Sequence, residues 1–341
     1  MEQRSVKQGH AWWKYSIPVA LLHVLGIGLL LVVARDHPAI WGIGLLAYTL
    51  GLRHAFDADH IAAIDNTTRK LVQQNRNASG VGFYFSLGHS TIVVFMAIAT
   101  VISVQWAQSR LPQFEEIGGV VGASVSSLFL LTVGIINFVI LVHLIRVYKQ
   151  FRAGRADPEA LDTLLQSRGL LSRLTRPLFK FVSKSWHIYP LGFLFGLGFD
   201  TASEIALLGI AASAAQDAIP MIGILSFPLL FAAGMTLMDT TNGILMTKAY
   251  SWSSAAPMRK MVYNLSVTTI AVIAAVLIGT VQLAQLLTSE WNGNSRFGAW
   301  VQSLDFGIAG YLLVVLFLSA WIVSMWYWRR KRGSDWGMAK S

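Results

Sequence analysis

The sequence predicts an all-α integral membrane protein of about eight transmembrane helices, with both termini in the cytoplasm. Three observations carry this. The 341-residue chain is 54% hydrophobic and only 13% charged, a balance far from that of soluble domains. Its apolar residues gather into stretches long enough to cross a bilayer, which takes about 20 residues each. Its basic residues fall on alternate connections between those stretches, as the positive-inside rule requires.

Taken in order, the apolar stretches are 16–34, 40–64, 81–104, 119–146, 187–213, 219–247, 264–288 and 306–328. The first follows a polar start and has no small-residue cleavage site after it, so it reads as a retained span rather than a cleaved signal. With the N-terminus inside, the cytoplasmic segments hold 23 of the 27 Lys and Arg, the outer loops hold Arg35, Arg110 and Arg296, and Arg53 lies within the membrane. The net charge of +10 is therefore a topology signal and a contact for anionic membrane lipid, not a nucleic-acid footprint. The chain is expected to be a single transmembrane permease domain, 1–341. Its one long polar connection, 147–185, starts a helix at Asp157-Pro158 and then alternates leucines with Arg and Lys, as an amphipathic helix on the cytoplasmic leaflet does. Trp300, Trp321, Trp326, Tyr327 and Trp328 suit the aromatic belt at the interface.

The second span carries an expensive cargo. Leu52 to Asn66 reads LRHAFDADHIAAIDN, with Arg53, His54, Asp57, Asp59, His60 and Asp65 in fifteen residues. Each such side chain costs about 2.5–3.5 kcal/mol at the centre of a spanning helix, so the group needs a reason. Continued as one helix at 100° per residue, His54, Asp57 and His60 share a face, and Asp59 points away, placed to accept from an imidazole N–H or to bind directly if the helix unwinds near Gly51. Imidazole and carboxylate together suit Ni(II), Co(II) or Zn(II). The competing reading is a buried salt-bridge network around Arg53. The chain has no cysteine, which excludes disulfides, thiolate metal sites and iron–sulfur clusters.

Further polar groups interrupt later spans. Asp200 and Glu204 stand four apart in the fifth span, where two carboxylates repel unless a cation or proton lies between them; a protonated pair bonded to neighbouring hydroxyls is the alternative. Asp239 and Asn242 stand three apart in the sixth, beside Met235 and Met238, which are thioethers more often used for packing. His89 in the third span is either a hydrogen-bonded structural residue or part of the site. Phe56-Asp57-Ala58-Asp59-His60-Ile61-Ala62 is echoed, with a one-residue shift, by Phe199-Asp200-Thr201-Ala202-Ser203-Glu204-Ile205-Ala206. Gly88-His89-Ser90-Thr91 is likewise echoed by Met238-Asp239-Thr240-Thr241, which sets His89 opposite Asp239. The two copies run in opposite directions through the membrane, an inverted repeat of the kind alternating-access transporters use.

These motifs together resemble the nickel/cobalt transporter family, the NiCoT permeases. His54-Ala-Phe-Asp-Ala-Asp59-His60-Ile resembles that family's H-x4-D-H signature. Leu197-Gly-Phe-Asp-Thr-Ala-Ser-Glu204-Ile, Leu87-Gly-His-Ser and Gly234-Met-Thr-Leu-Met-Asp-Thr-Thr resemble its other motifs, and Tyr263-Asn264 through Gly279 resembles its seventh-helix stretch. The likeness covers most of the chain. It departs at Asn242, where an aspartate is usual, and at Gln282, where a glutamate is usual. The resemblance implies an eight-helix permease of the bacterial cytoplasmic membrane that moves Ni(II) and Co(II) as substrate, with no other cofactor. The expected metal-site residues are His54, Asp57, Asp59, His60, His89, Asp200, Glu204, Asp239 and Asn242. No phosphate-binding G-x-x-x-x-G-K-[ST] loop is present and no ATPase subunit is evident, so the protein is not expected to hydrolyse ATP itself, and an inside-negative membrane potential favours uptake of a cation. The alternatives are efflux, or an intramembrane metal-dependent enzyme in which His54, Asp57 and His60 hold a catalytic Zn(II).

Overall fold

The computed structural model describes residues 13–102, 104–153, 182–198, 202–216, 219–253, 257–290, 296–304 and 308–338. Among these the regular structure is helical throughout. The helices are α1 (Trp13–Ala34), α2 (Ile40–His54), α3 (Ala58–Gln73), α4 (Val81–Ile102), α5 (Val104–Arg152), a 3-10 turn (Ser185–Ile188), α6 (Tyr189–Gly196), α7 (Ala202–Gln216), α8 (Met221–Ser253), α9 (Pro257–Glu290), α10 (Arg296–Gln302) and α11 (Ala309–Met338).

Six helices are long and apolar enough to cross a membrane: α1, α4, α5 over Glu116–Gln150, α8, α9 over Met261–Ser289, and α11 over Ala309–Trp328. They leave large apolar side chains uncovered, among them Val24 and Val32 on α1, Phe138 on α5, Ile273 on α9, and Leu312 and Val315 on α11. Such a display is far beyond what a soluble monomer tolerates. Trp300, Trp326 and Tyr327 are also exposed, as belt residues are.

The two remaining stretches, expected as continuous spans over 40–64 and 187–213, are each broken in the middle. In the first, α2 ends at His54 and α3 begins at Ala58. The chain turns through tight bonds, Phe56 N–H to Arg53 O and Asp57 N–H to His54 O, both 2.9 Å. Asp57 then goes extended, at φ −64° and ψ 139°, as the residue that precedes α3. In the second, α6 ends at Gly196 and α7 begins at Ala202. Irregular backbone at membrane depth survives only where protein surrounds it, and here it does. Gly51 of α2 lies directly against the carbonyl of Phe231 on α8, and Gly192 of α6 against the carbonyl of Phe85 on α4. A Cβ at either position would overlap that carbonyl. Each half-helix thus docks on a long helix from the other part of the chain, α2 on α8 and α6 on α4. The first break is closed over from a third side, where the Phe56 ring stacks on Tyr311 of α11 at 4.5 Å and the Phe56 carbonyl abuts Gly310.

The connection expected as an amphipathic helix lies largely outside the described residues. Its end is fixed, because Lys70 donates to the Val182 carbonyl and Arg76 to the Ser183 carbonyl, both at 2.6 Å. Partial burial, with the Arg76 charge adding to it, lowers the Lys70 ammonium pKa to about 8.

Candidate metal centre

Where the first break faces α4 and α8, three imidazoles meet. His54 closes α2, His60 sits in the first turn of α3, and His89 projects from the middle of α4. One ring nitrogen of each lies within 4.8 Å of the other two. All three residues are no more than 2% exposed. The rings pack closely, with centroids 4.7 Å apart for His54 and His60, 4.7 Å for His54 and His89, and 4.9 Å for His60 and His89. Phe85 stands edge-on against His60 at 4.8 Å, and Phe231 tilts over His54 at 5.6 Å. The cluster is therefore walled by aromatic rings and shut from water.

Each imidazole has a carboxylate. His54 Nδ1 lies 2.9 Å from Asp57 Oδ2, His60 Nδ1 lies 3.2 Å from Asp239 Oδ2, and His89 Nε2 lies 2.7 Å from Glu204 Oε1. Glu204 Oε1 is also 3.9 Å from His54 Nε2. Glu204 and Asp239 are buried to within 1%. On His54 and His60 the carboxylate sits on Nδ1, which fixes the ring and raises the basicity of Nε2, the usual support of a metal-binding histidine; on His89 the carboxylate shares Nε2 with the contact to His54. Three carboxylates against three imidazoles leave negative charge in excess whenever any ring is neutral, and a divalent cation offsets it.

The spacing fits such an ion. His54 Nε2 and His89 Nε2 are 3.0 Å apart. Two nitrogens held at about 2.1 Å from one ion and at right angles would lie about 3.0 Å apart. The same separation suits a shared N–H···N proton, so ion and proton compete for one place. Imidazole with carboxylate also selects by type: it binds nickel, cobalt and zinc well, whereas magnesium prefers oxygen and retained water.

The break changes how these residues come together. On an unbroken helix His54, Asp57 and His60 would share a face; in the structure the turn between them redirects the chain, and His60 reaches the cluster from a separate helix. Asp57, in the position of an N-cap, makes no cap bond with its side chain and gives its carboxylate to His54 instead. Asp59, expected to accept from an imidazole, turns the other way. Its Oδ1 accepts from the His60 backbone N–H at 2.9 Å, and its Oδ2 from Ser126 of α5 at 3.3 Å. Ser126 in turn lies 3.0 Å from Gln282 of α9. Asn242 is buried on α8, yet no hydrogen bond joins it to the histidines among the described residues, and its Nδ2 has no partner. Asp200 lies outside the described residues. Met235 is fully buried and packs in an apolar cluster with Phe227 and Phe231. The sequence echo sets His89 opposite Asp239, but neither pairs with the other. His89 takes the carboxylate of α7, and Asp239 takes the imidazole of α3.

Known proteins resemble this chain over most of its length. A family model described as NicO, high-affinity nickel-transport protein, matches residues 40–327. The nickel transporter NixA of Staphylococcus aureus is 51% identical over 319 residues, which are 94% of this chain and 94% of that one. The high-affinity nickel-transport protein NixA of Helicobacter pylori (strain J99) is 48% identical over 326 residues, 94% of this chain and 97% of that one. The cobalt transport protein NhlF of Rhodococcus rhodochrous is 40% identical over 311 residues, 89% and 88% of the two chains. No solved structure matches the chain significantly.

Proposed function

The chain belongs to the NicO family of high-affinity nickel-transport proteins, and from that premise we propose that it carries Ni(II), and also Co(II), into the cell across the bacterial cytoplasmic membrane. The observation that supports this most directly is the set of three buried histidines, each set against a carboxylate, at the break between α2 and α3. Family membership sets aside the intramembrane-enzyme alternative. Cobalt enters the proposal through the likeness to a cobalt transport protein.

In this reading the ion exchanges part of its water for nitrogens of His54, His60 and His89. Glu204 and Asp239 compensate its charge, and Asp57 holds the His54 ring. Asp59 and Asn242 act near the path rather than on the ion, and Asp200, four residues before Glu204 in sequence, adds a further carboxylate to the metal site. The fold crosses the membrane eight times, six times by continuous helices and twice by the pairs α2–α3 and α6–α7, with both termini cytoplasmic and the whole chain one permease domain. The swapped docking of α2 on α8 and α6 on α4 supports an inverted repeat, whose halves rock to open the site to each side in turn. The basic connection over 147–185 lies on anionic lipid. Transport needs no ATPase subunit, because an inside-negative potential favours entry by about 2.3 kcal/mol per charge per 100 mV, hence about 4.6 kcal/mol for a divalent ion.

The test is uptake of radioactive nickel by proteoliposomes under an imposed potential, with and without a pH gradient. Uptake that follows the inside-negative potential supports the proposal. Accumulation only under the opposite polarity would make the protein an exporter.

A further inference from the structure

Away from the histidines, a second buried polar group ties one turn of α3 to three other helices. Asp65 and Thr68 are wholly buried, and Asn66 and Arg69 nearly so. Tyr250 of α8 donates its hydroxyl to Asp65 Oδ1 at 2.5 Å. Arg69 donates to Asn66 Oδ1 at 2.7 Å and to Thr268 of α9 at 2.9 Å, and Asn137 of α5 donates to the same Asn66 oxygen at 2.5 Å. Tyr263 of α9 stands edge-on to Tyr250, ring centroids 5.9 Å apart.

This group and the metal centre share one face of α8. Asp239 and Tyr250 are eleven residues apart, which brings them within about 20° of each other and about three turns apart along the axis. Asn242, Gly243 and Met246 occupy the strip between them, all buried. α3 runs alongside, with His60 level with Asp239 and Asp65 about 7.5 Å further along. Four buried polar atoms beside this strip have no hydrogen-bond partner among the described residues: Asp239 Oδ1, Asn242 Nδ2, Asp65 Oδ2 and Thr68 Oγ1. Buried polar atoms are nearly always paired, and a run of unpaired ones calls for an explanation. One conformation in which the strip is open to water supplies it.

We propose that the strip from Asp239 to Tyr250, between α3 and α8, is the release half of the ion path, and that the Tyr250–Asp65 bond closes it on the side that carries Lys70 and Arg76. The inference rests on the histidine cluster being the ion site. Arg69, anchored on Asn66 and Thr268, offsets the Asp65 charge and so keeps that carboxylate from trapping a departing cation. Tyr250 is the closing element because the bond from its hydroxyl to Asp65 joins α8 to α3 at the end of the strip.

The absence of cysteine from the chain makes the test direct. Met246→Cys sets a thiol within the strip, and Ala275→Cys, wholly buried on α9, is the control. Each is exposed, in vesicles of both orientations, to a membrane-impermeant maleimide. Met246→Cys alone should react slowly from either side without nickel. Adding Tyr250→Phe, which removes one hydrogen bond and keeps the ring, should speed its labelling about tenfold from the Lys70 side only. Asp65→Asn should do the same, and the Ala275→Cys control should stay protected throughout. Unchanged labelling of Met246→Cys in both variants, faster labelling from the opposite side, or an equal rise at the control would overturn the closure. Nickel is the separate readout of the ion site: if Tyr250→Phe opens the strip but nickel never slows labelling, the closure stands and the ion-site reading fails.

Discussion

His60 on α3 and Asp239 on α8, 179 residues apart in sequence, meet at 3.2 Å with both side chains sealed from water. An isolated carboxylate there would be costly, and so would an isolated imidazolium. Together they set a donor direction, because Asp239 occupies Nδ1 and leaves the far side of the ring to the ion. Replacing Asp239 by Asn keeps the shape and a hydrogen-bond acceptor but removes the charge. We expect Asp239→Asn to weaken nickel binding about 10- to 100-fold while the protein still inserts and purifies. Calorimetry in detergent measures it; unaltered affinity would mean that Asp239 only packs.

His89 is the sharper case, since a single histidine on an apolar helix is so often structural. Here it lies 3.0 Å from His54 and 2.7 Å from Glu204. His89→Ala should abolish nickel uptake, as should His54→Ala and His60→Ala, with expression and helix content unchanged. Uptake near the unsubstituted rate in His89→Ala would leave the ion with only two of the three rings.

Six of the spans were legible because length and apolar composition are local properties of the chain. The breaks were not. Nothing at Ala55-Phe56-Asp57 is a strong helix breaker, and a continuous helix gives a plausible face of its own. What the spacing could not show is the non-local part: Gly310 and Tyr311 engage Phe56. All six members of the cluster were singled out in the sequence, because ionisable residues in apolar spans stand out. It could not say which carboxylate serves which ring, since that depends on contacts between distant helices. Asp59 was expected to point away from the face of Asp57, and it does, but it meets Ser126 and the His60 backbone N–H, which spacing alone could not show. Asp65 was visible as a charge, but its partner Tyr250 was not.

Nickel binding should weaken as pH falls. Only the neutral imidazole has a lone pair for the ion, so protons and metal compete, and binding releases protons. Metal affinity is then fully present above the free imidazole value of about 6.5 and is lost below it. Titrations in detergent between pH 7.5 and 5.5 should show affinity falling steeply, by tenfold for each unit and each proton displaced. A flat profile would assign the ion to oxygen ligands alone.

Selectivity follows from the same nitrogens. Nickel uptake should resist a roughly thousandfold excess of Mg(II), be inhibited by Co(II), and be partly inhibited by Zn(II) or Cu(II), which also favour imidazole. Competition in the uptake assay measures this, and strong inhibition by magnesium would point to a rate-limiting site of carboxylates.

Packing at the breaks can be tested apart from chemistry. Gly51→Ala drives a methyl into the Phe231 carbonyl, which is rigid helix backbone and cannot yield as a side chain would. Overpacking of this kind costs about 1–3 kcal/mol. The variant should lose several degrees of melting temperature and much of its transport, whereas Gly28→Ala, where nothing lies within 4 Å, should change neither. Equal behaviour of the two variants would show that α2 and α8 are not locked together.

The division of labour across the site has a consequence for how such a chain could arise. All three rings come from residues 54–89, and the two buried carboxylates opposite them, Glu204 and Asp239, come from residues 204–239. If the halves descend from one ancestral segment that once paired with itself, the two copies have since specialised, one toward nitrogen and the other toward oxygen. Neither half retains the complete set. A pair of first halves would present six imidazoles with only the two copies of Asp57 among their carboxylate partners, suited to the metals that already compete with nickel. A pair of second halves would present only hard anions, open to magnesium. The cluster as it stands draws on both halves, one supplying the three rings and the other two of their carboxylates.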